Sequence, residues 1–162
     1  QAARYIMCDQ VVAGFKYDLS ERNTTFGLEA FHKKYKGGPV SRAAGIALAN
    51  LGADFGVVGN EAVSFDGDGR AFGLEFLTQR RLYKGVYGLM AYTYVRSEYA
   101  FKGTYAPSAW DSRHIVSLTG GAKLKRDWEI GVRWLYSGGL PFTPYDEDVS
   151  MDREYWDSQG VA

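Results

Sequence analysis

Hydrophobic and polar side chains alternate over residues 69–82 and again over 86–101, with Tyr83-Lys84-Gly85 between the two runs. In the first run Phe72, Leu74 and Phe76 point one way and Ala71, Gly73, Glu75, Gln79 and Arg81 the other, because successive side chains of a strand face opposite sides. In the second, Tyr87, Leu89, Ala91 and Val95 share one face, opposite Met90, Tyr92, Tyr94, Arg96 and Glu98. Both runs exceed the usual soluble strand of roughly 5–6 residues. The pattern predicts a long hairpin with one greasy face and one charged face.

The same period recurs on either side of this hairpin. Residues 10–19 set Val11, Ala13, Phe15, Tyr17 and Leu19 against Gln10, Gly14, Lys16 and Asp18. After the polar turn Ser20-Glu21-Arg22-Asn23, residues 24–36 set Phe26, Leu28 and Ala30 against Thr25, Gly27, Glu29 and Lys33. Gly37-Gly38-Pro39 is expected to end that strand, since proline cannot donate to a ladder. Residues 114–124 place Val116 and Leu118 opposite Ser117, Thr119 and Lys123. Beyond the turn Lys125-Arg126-Asp127, residues 128–137 alternate most cleanly, Trp128, Ile130, Val132, Trp134 and Tyr136 against Glu129, Gly131, Arg133 and Ser137.

About six strands result, and their connections alternate short and long. The long ones fall at about 37–68, 102–113 and 145–162; within the first, alanine-rich 42–51 suits a short helix and 57–65 an excursion of strand. Short turns at one end and long loops at the other are the habit of outer-membrane barrels. Trp128 and Tyr136 share a face eight residues apart. At roughly 3.3 Å per residue and about 40° of tilt, that is on the order of 20 Å along the membrane normal, near the apolar band of about 25 Å between aromatic girdles.

The predicted fold class is therefore all-β, an antiparallel transmembrane β-barrel segment. Phe72, Leu74, Phe76, Trp128, Ile130, Val132, Trp134 and Tyr136 are expected to face lipid. Lys16, Glu29, Glu75, Arg81, Arg96, Glu98, Glu129 and Arg133 are expected to face a wet lumen. The loop aromatics Tyr99, Phe101, Tyr105 and Trp110 are the candidates for ligand contact, since aromatics with polar tips suit binding surfaces. The competing fold is a soluble β-sandwich binding module with the greasy face buried.

Composition narrows this further. Nineteen basic and nineteen acidic residues cancel, so no polyanion is implied and nucleic acid is not expected as a partner. Tyr, Trp, Phe and glycine are abundant while proline is scarce, which suits sheet with aromatic girdles. Residues 43–59 are broken by Asn50, Asp54 and several glycines, so they do not make the about 20-residue apolar run of a membrane-crossing helix. Cys8 is the single cysteine and permits no internal disulfide. The N-terminus lacks the basic start and apolar stretch of a signal peptide.

Catalytic and metal signals are thin. Asp111, Ser112 and His114 bring acid, hydroxyl and base within four positions, which frames a second reading, an outer-membrane barrel enzyme with a rim His114/Asp111 site. The simpler expectation is a loop cap in which Asp111 accepts backbone hydrogen bonds. Asp66-Gly67-Asp68-Gly69 resembles the start of a calcium loop, but Arg70 and Leu77 stand where ligands are needed. Gly67, Gly69 and Gly73 miss the dinucleotide spacing and precede a strand. His32 and His114 are the only histidines, so no metal site and no cofactor are expected.

Four segments in order carry a family resemblance: Gly69-Arg70-Ala71-Phe72-Gly73-Leu74-Glu75, Ala91-Tyr92-Thr93-Tyr94-Val95-Arg96-Ser97-Glu98, Trp110-Asp111-Ser112-Arg113-His114, and Trp134-Leu135-Tyr136-Ser137-Gly138-Gly139-Leu140-Pro141-Phe142-Thr143-Pro144. Together they resemble the C-terminal half of the barrel of TonB-dependent outer-membrane receptors, especially those of Bacteroidetes. The resemblance implies a receptor in the bacterial cell outer membrane that binds a scarce nutrient outside the cell and imports it with TonB energy. It also implies a barrel of 22 strands around an N-terminal plug, the plugged-lumen class. The implied partners are outer-membrane lipid, the rest of the barrel and its plug, the TonB complex through an N-terminal part, and optionally a surface lipoprotein. Six strands cannot close such a barrel and no plug is legible, so the chain is expected to be a fragment, a partly built chain or one piece of a split barrel.

Overall fold

The structure, a computed structural model, describes residues 5–51, 61–101 and 103–142, with residues 151 and 153. Seven strands form one antiparallel sheet: β1 (Met7–Leu19), β2 (Thr24–Ser41), β3 (Val63–Tyr83), β4 (Val86–Phe101), β5 (Thr104–Pro107), β6 (Arg113–Lys123) and β7 (Glu129–Ser137). Their order across the sheet is β1-β2-β3-β4-β6-β7, and β5 pairs with the outer end of β4.

The tight turns lie where the sequence predicts them, at residues 20–23, 83–85 and 125–127. Lys84 and Gly85 both take positive φ, 50° and 80°, as a two-residue hairpin matched to strand twist requires. Short helical turns at Ser20–Arg22 and Lys125–Asp127 close the other two hairpins. All three sit at one end of the sheet, and the long connections sit at the other.

That far end is more ordered than the sequence suggests. β2 does not stop at Gly37; it runs through Pro39 to Ser41, and β3 begins at Val63. Register slips on either side of Gly38 leave Pro39 where no ladder donor is required. The predicted loop 37–68 is thus strand at both ends, and its described residues 42–51 hold a turn after Ser41 and a short helical turn at Leu48–Asn50 in place of the predicted helix. The predicted loop 102–113 contains β5. Residues 52–60 and, apart from 151 and 153, the predicted loop 145–162 lie outside the described residues.

The sheet has no second layer among the described residues. Among the described residues the only buried hydrophobic ones are Ala47 and Ala109, both outside the strands, whereas Phe15 is 65 % exposed, Trp128 69 %, Ile130 60 % and Trp134 52 %. A soluble sandwich would bury such a face against a facing sheet about 10 Å away, so the sandwich alternative is not what this chain folds into. β1 and β7 form the two edges, and no described strand pairs with their outer sides.

Candidate functional site

Register converts the strand alternation into two continuous surfaces, since residues directly opposite in an antiparallel pair share a face. One transverse row reads Phe15, Leu28, Phe76, Tyr92, Val116, Tyr136 across six strands. The next residue in each strand gives a row on the opposite face: Gly14, Glu29, Glu75, Thr93, Ile115, Ser137. The first face is uncharged through its middle and the second is mixed and polar.

The uncharged belt has sharp borders. On β3 it is bracketed by Arg70 and Arg80, with Phe72, Leu74, Phe76 and Thr78 between them. The ten steps from Arg70 to Arg80, at about 3.3 Å each and the about 40° tilt of membrane barrels, project to about 25 Å, the height of a bilayer-facing band. Aromatics gather toward the margins: Tyr17 opposite Phe26 at the short-turn side, and Tyr94 opposite His114 at the long-loop side.

The predicted charged set divides between the faces. Glu29, Glu75, Glu129 and Arg133 share the polar face by register, with Lys16, and Arg81 joins Lys16 and Asp18 around one hollow there. Arg96 and Glu98 do not. They stand opposite Phe72 and Arg70, on the face of the uncharged belt and at its long-loop border. In β4 the belt is built by Met90, Tyr92 and Tyr94, not by Leu89 and Ala91, so the expected facing of this strand is inverted. Tyrosine is amphipathic, and Arg96 stands at the belt's long-loop border, level with Phe72, with Glu98 beyond it beside Arg70, where the face need no longer be apolar.

At the long-loop end the chain builds a polar cluster around β4. Below Val95 this strand pairs with β6, and from Glu98 outward it pairs with β5, which leaves Ser97 between partners. Asp111 fills the gap: its Oδ1 accepts the Ser97 N–H at 2.8 Å, while Ser108 N–H donates to the Ser97 carbonyl at 2.8 Å. Asp111 is fully buried, with Arg96 and Arg113 Nε at 3.7 and 3.6 Å from its other oxygen. Glu98 takes hydrogen bonds from Arg70 (2.7 Å) and Arg96. Burial pushes the Glu98 carboxyl up, but the hydrogen bonds and charges of the two arginines together outweigh it and hold it below its ordinary range.

The predicted ligand aromatics also separate. Tyr99 packs edge-on against Trp110, ring centroids 6.2 Å apart, and stacks with Tyr35 at 6.2 Å across the glycine rung at Gly69. Tyr105 belongs to the other side, where the Arg70 guanidinium covers its ring at 4.2 Å. The side chain of Phe101 lies outside the described residues. Tyr35 is not among the predicted residues; it lies two positions from Lys33 on the same face of β2, and the register with β3 and β4 brings it to Tyr99.

The rim acid and base are not assembled for catalysis. His114 Nδ1 lies 2.9 Å from the Tyr92 hydroxyl, while the Asp111 carboxylate is committed to Ser97 and the arginines. Asp111 acts as a loop cap. No group of three or more His, Cys, Asp and Glu side chains suited to a metal ion occurs among the described residues.

Comparison with known proteins adds one match. The model of the family described as TonB dependent receptor-like, beta-barrel, fits residues 9–161. No curated protein sequence matches the chain.

Proposed function

We propose, from the premise that this chain belongs to the TonB-dependent receptor β-barrel family, that it forms part of the wall of an outer-membrane receptor which takes up a scarce nutrient. The family is one of outer-membrane receptors and transporters that work with a plug, the remaining barrel strands and TonB. In this reading the uncharged belt meets the hydrocarbon of the outer membrane. The face of Glu29, Glu75, Arg133 and Glu129 meets the water or plug of the lumen, and Tyr35, Tyr99 and Trp110 stand at the outer mouth on the ligand's side.

The observation that carries this reading is the belt itself: six consecutive strands contribute an apolar or aromatic residue to the row of Phe76, with charge confined to its borders. Exposed apolar surface of that extent is unstable in water and suits only another apolar phase. The unpaired edges of β1 and β7 fit strands supplied by the rest of the barrel, since an open sheet edge in lipid costs several kcal/mol per unsatisfied backbone group.

The test is growth on the nutrient by cells carrying the complete receptor. Uptake is expected to stop when TonB is deleted and to fall when Tyr99 and Trp110 are both changed to alanine while surface expression holds. Uptake that continues at full rate without TonB would overturn the transport reading.

A further inference from the structure

A furrow of about 420 Å³ opens on the belt face at its short-turn border. Its floor exists because side chains are missing: Arg80 is opposite Gly88, and Gly88 is opposite Gly120. Phe26, Met90 and Leu118 form its walls, and Arg22 and Arg80 stand at its rim. A second hollow of about 420 Å³, lined by Gly88, Gly120, Ala122, Ile130 and Val132, continues it toward β7. It is built by β2, β3, β4, β6 and β7 together with Leu19 at the end of β1, and its floor lies on the inner strands β3, β4 and β6.

Its charge is one-sided. Neither hollow is lined by an aspartate or glutamate, and neither arginine has an ion-pair partner among the described residues. Arg80 Nε is buried and donates no hydrogen bond, although the guanidinium lies 5.1 Å from the Tyr83 ring centroid. An apolar channel ending in two unneutralised guanidinium groups, one with an idle donor, is complementary to an amphiphile with an anionic head. Arginine's planar fork suits phosphate oxygens in particular.

We infer that this furrow binds one anionic glycerophospholipid of the short-turn leaflet, its net negative head held through the phosphate by Arg22 and Arg80 and an acyl chain laid over Gly88 and Gly120. The inference rests on the belt facing lipid, as proposed above. It goes further by assigning a specific headgroup site to a surface that would otherwise contact any lipid alike.

Native mass spectrometry of the complete receptor with added phosphatidylglycerol or phosphatidylcholine tests it. Phosphatidylglycerol is expected to be retained in preference, and its apparent affinity to fall about thirtyfold when Arg22→Gln and Arg80→Gln are combined. Lysine at both positions restores the charge without the fork and should recover only part of the binding. Gly88→Leu is a second variant that leaves the arginines in place; its Cβ would have 3.4 Å to the nearest atom, the Thr119 carbonyl oxygen, so the added side chain enters the furrow. Unchanged phosphatidylglycerol retention in both the glutamine pair and Gly88→Leu would overturn the site. Phosphatidylcholine held as firmly as phosphatidylglycerol by the wild type would do the same. Quenching of Trp134 fluorescence by brominated acyl chains, read as the difference from Trp134→Phe, separates the two levels. Quenching with unaltered retention sinks the furrow alone; no quenching sinks the lipid-facing belt and the furrow with it.

Discussion

The Asp111 carboxylate replaces a rung of the sheet: its Oδ1 accepts the backbone N–H of Ser97 at 2.8 Å, where β4 changes partner from β6 to β5. Asp111→Ala leaves that buried donor empty, which costs about 1–3 kcal/mol, and strips Arg96 and Arg113 of their shared acid. Asp111→Asn keeps an oxygen in place. Amide exchange at Ser97 in the complete receptor should rise about tenfold or more in the alanine variant and far less in the asparagine variant. Equal rates in wild type and Asp111→Ala would show that the rung does not depend on this side chain.

Acid should open the β4–β5 hairpin. The folded Glu98 carboxyl sits below its ordinary value of 4.5 because Arg70 and Arg96 outweigh the effect of burial. A carboxyl lowered on folding adds stability above its unfolded value and loses it as pH falls through the folded one. Exchange over residues 98–107 is therefore expected to be flat near neutrality and to climb below about pH 4.5. Arg70→Met should blunt that climb and also release Tyr105, whose ring the guanidinium covers at 4.2 Å.

Gly73 should resist even one added methyl. A Cβ there would lie 2.1 Å from the Tyr94 carbonyl oxygen and 2.9 Å from Phe31 Cζ, so the backbone of β4 has to move. Gly73→Ala is expected to lower stability by about 1–3 kcal/mol, the usual range for overpacking. Gly139→Ala, with nothing within 4 Å, serves as the neutral control. Heat-induced loss of the compact band on a denaturing gel reads the difference, and matched transitions for the two variants would contradict the tight β3–β4 approach.

Strand existence and most strand faces were legible because a period of two is a local property, and Phe72, Leu74, Phe76 and the Trp128–Tyr136 series express it without help from neighbours. What could not be read locally depends on pairing. Met90, Tyr92 and Tyr94 against Leu89, Ala91 and Val95 is nearly a tie in hydrophobicity, and Arg96 with Glu98 tipped it the wrong way; only the opposition of Arg96 to Phe72 resolves it. Gly37-Gly38-Pro39 carries every sign of a strand end, yet slips in register absorb it. The Tyr35–Tyr99 stack joins residues 64 positions apart in sequence through Gly69, and the separation of Tyr105 from Tyr99 requires β5, a strand of four residues too short to show a period.

Two arginine insertions, one on each face, test which side meets lipid. Leu74 lies in the middle of the belt, opposite Ala30 and Tyr94, and Leu74→Arg would put a charge near the bilayer midplane at a cost of about 2–4 kcal/mol. Thr93 is one rung away on the other face, opposite Glu75 and Ile115. Thr93→Arg enters water beside a carboxylate and should shift stability by less than about 0.5 kcal/mol, as most solvated substitutions do. Unfolding midpoints in urea, measured on the complete receptor in vesicles, are therefore expected to drop for Leu74→Arg and to stay near wild type for Thr93→Arg. Because strand alternation ties the two positions to opposite sides, the reverse ordering would mean the sheet is turned the other way, with Phe72, Leu74 and Phe76 lining the lumen and Glu29 and Glu75 in the membrane.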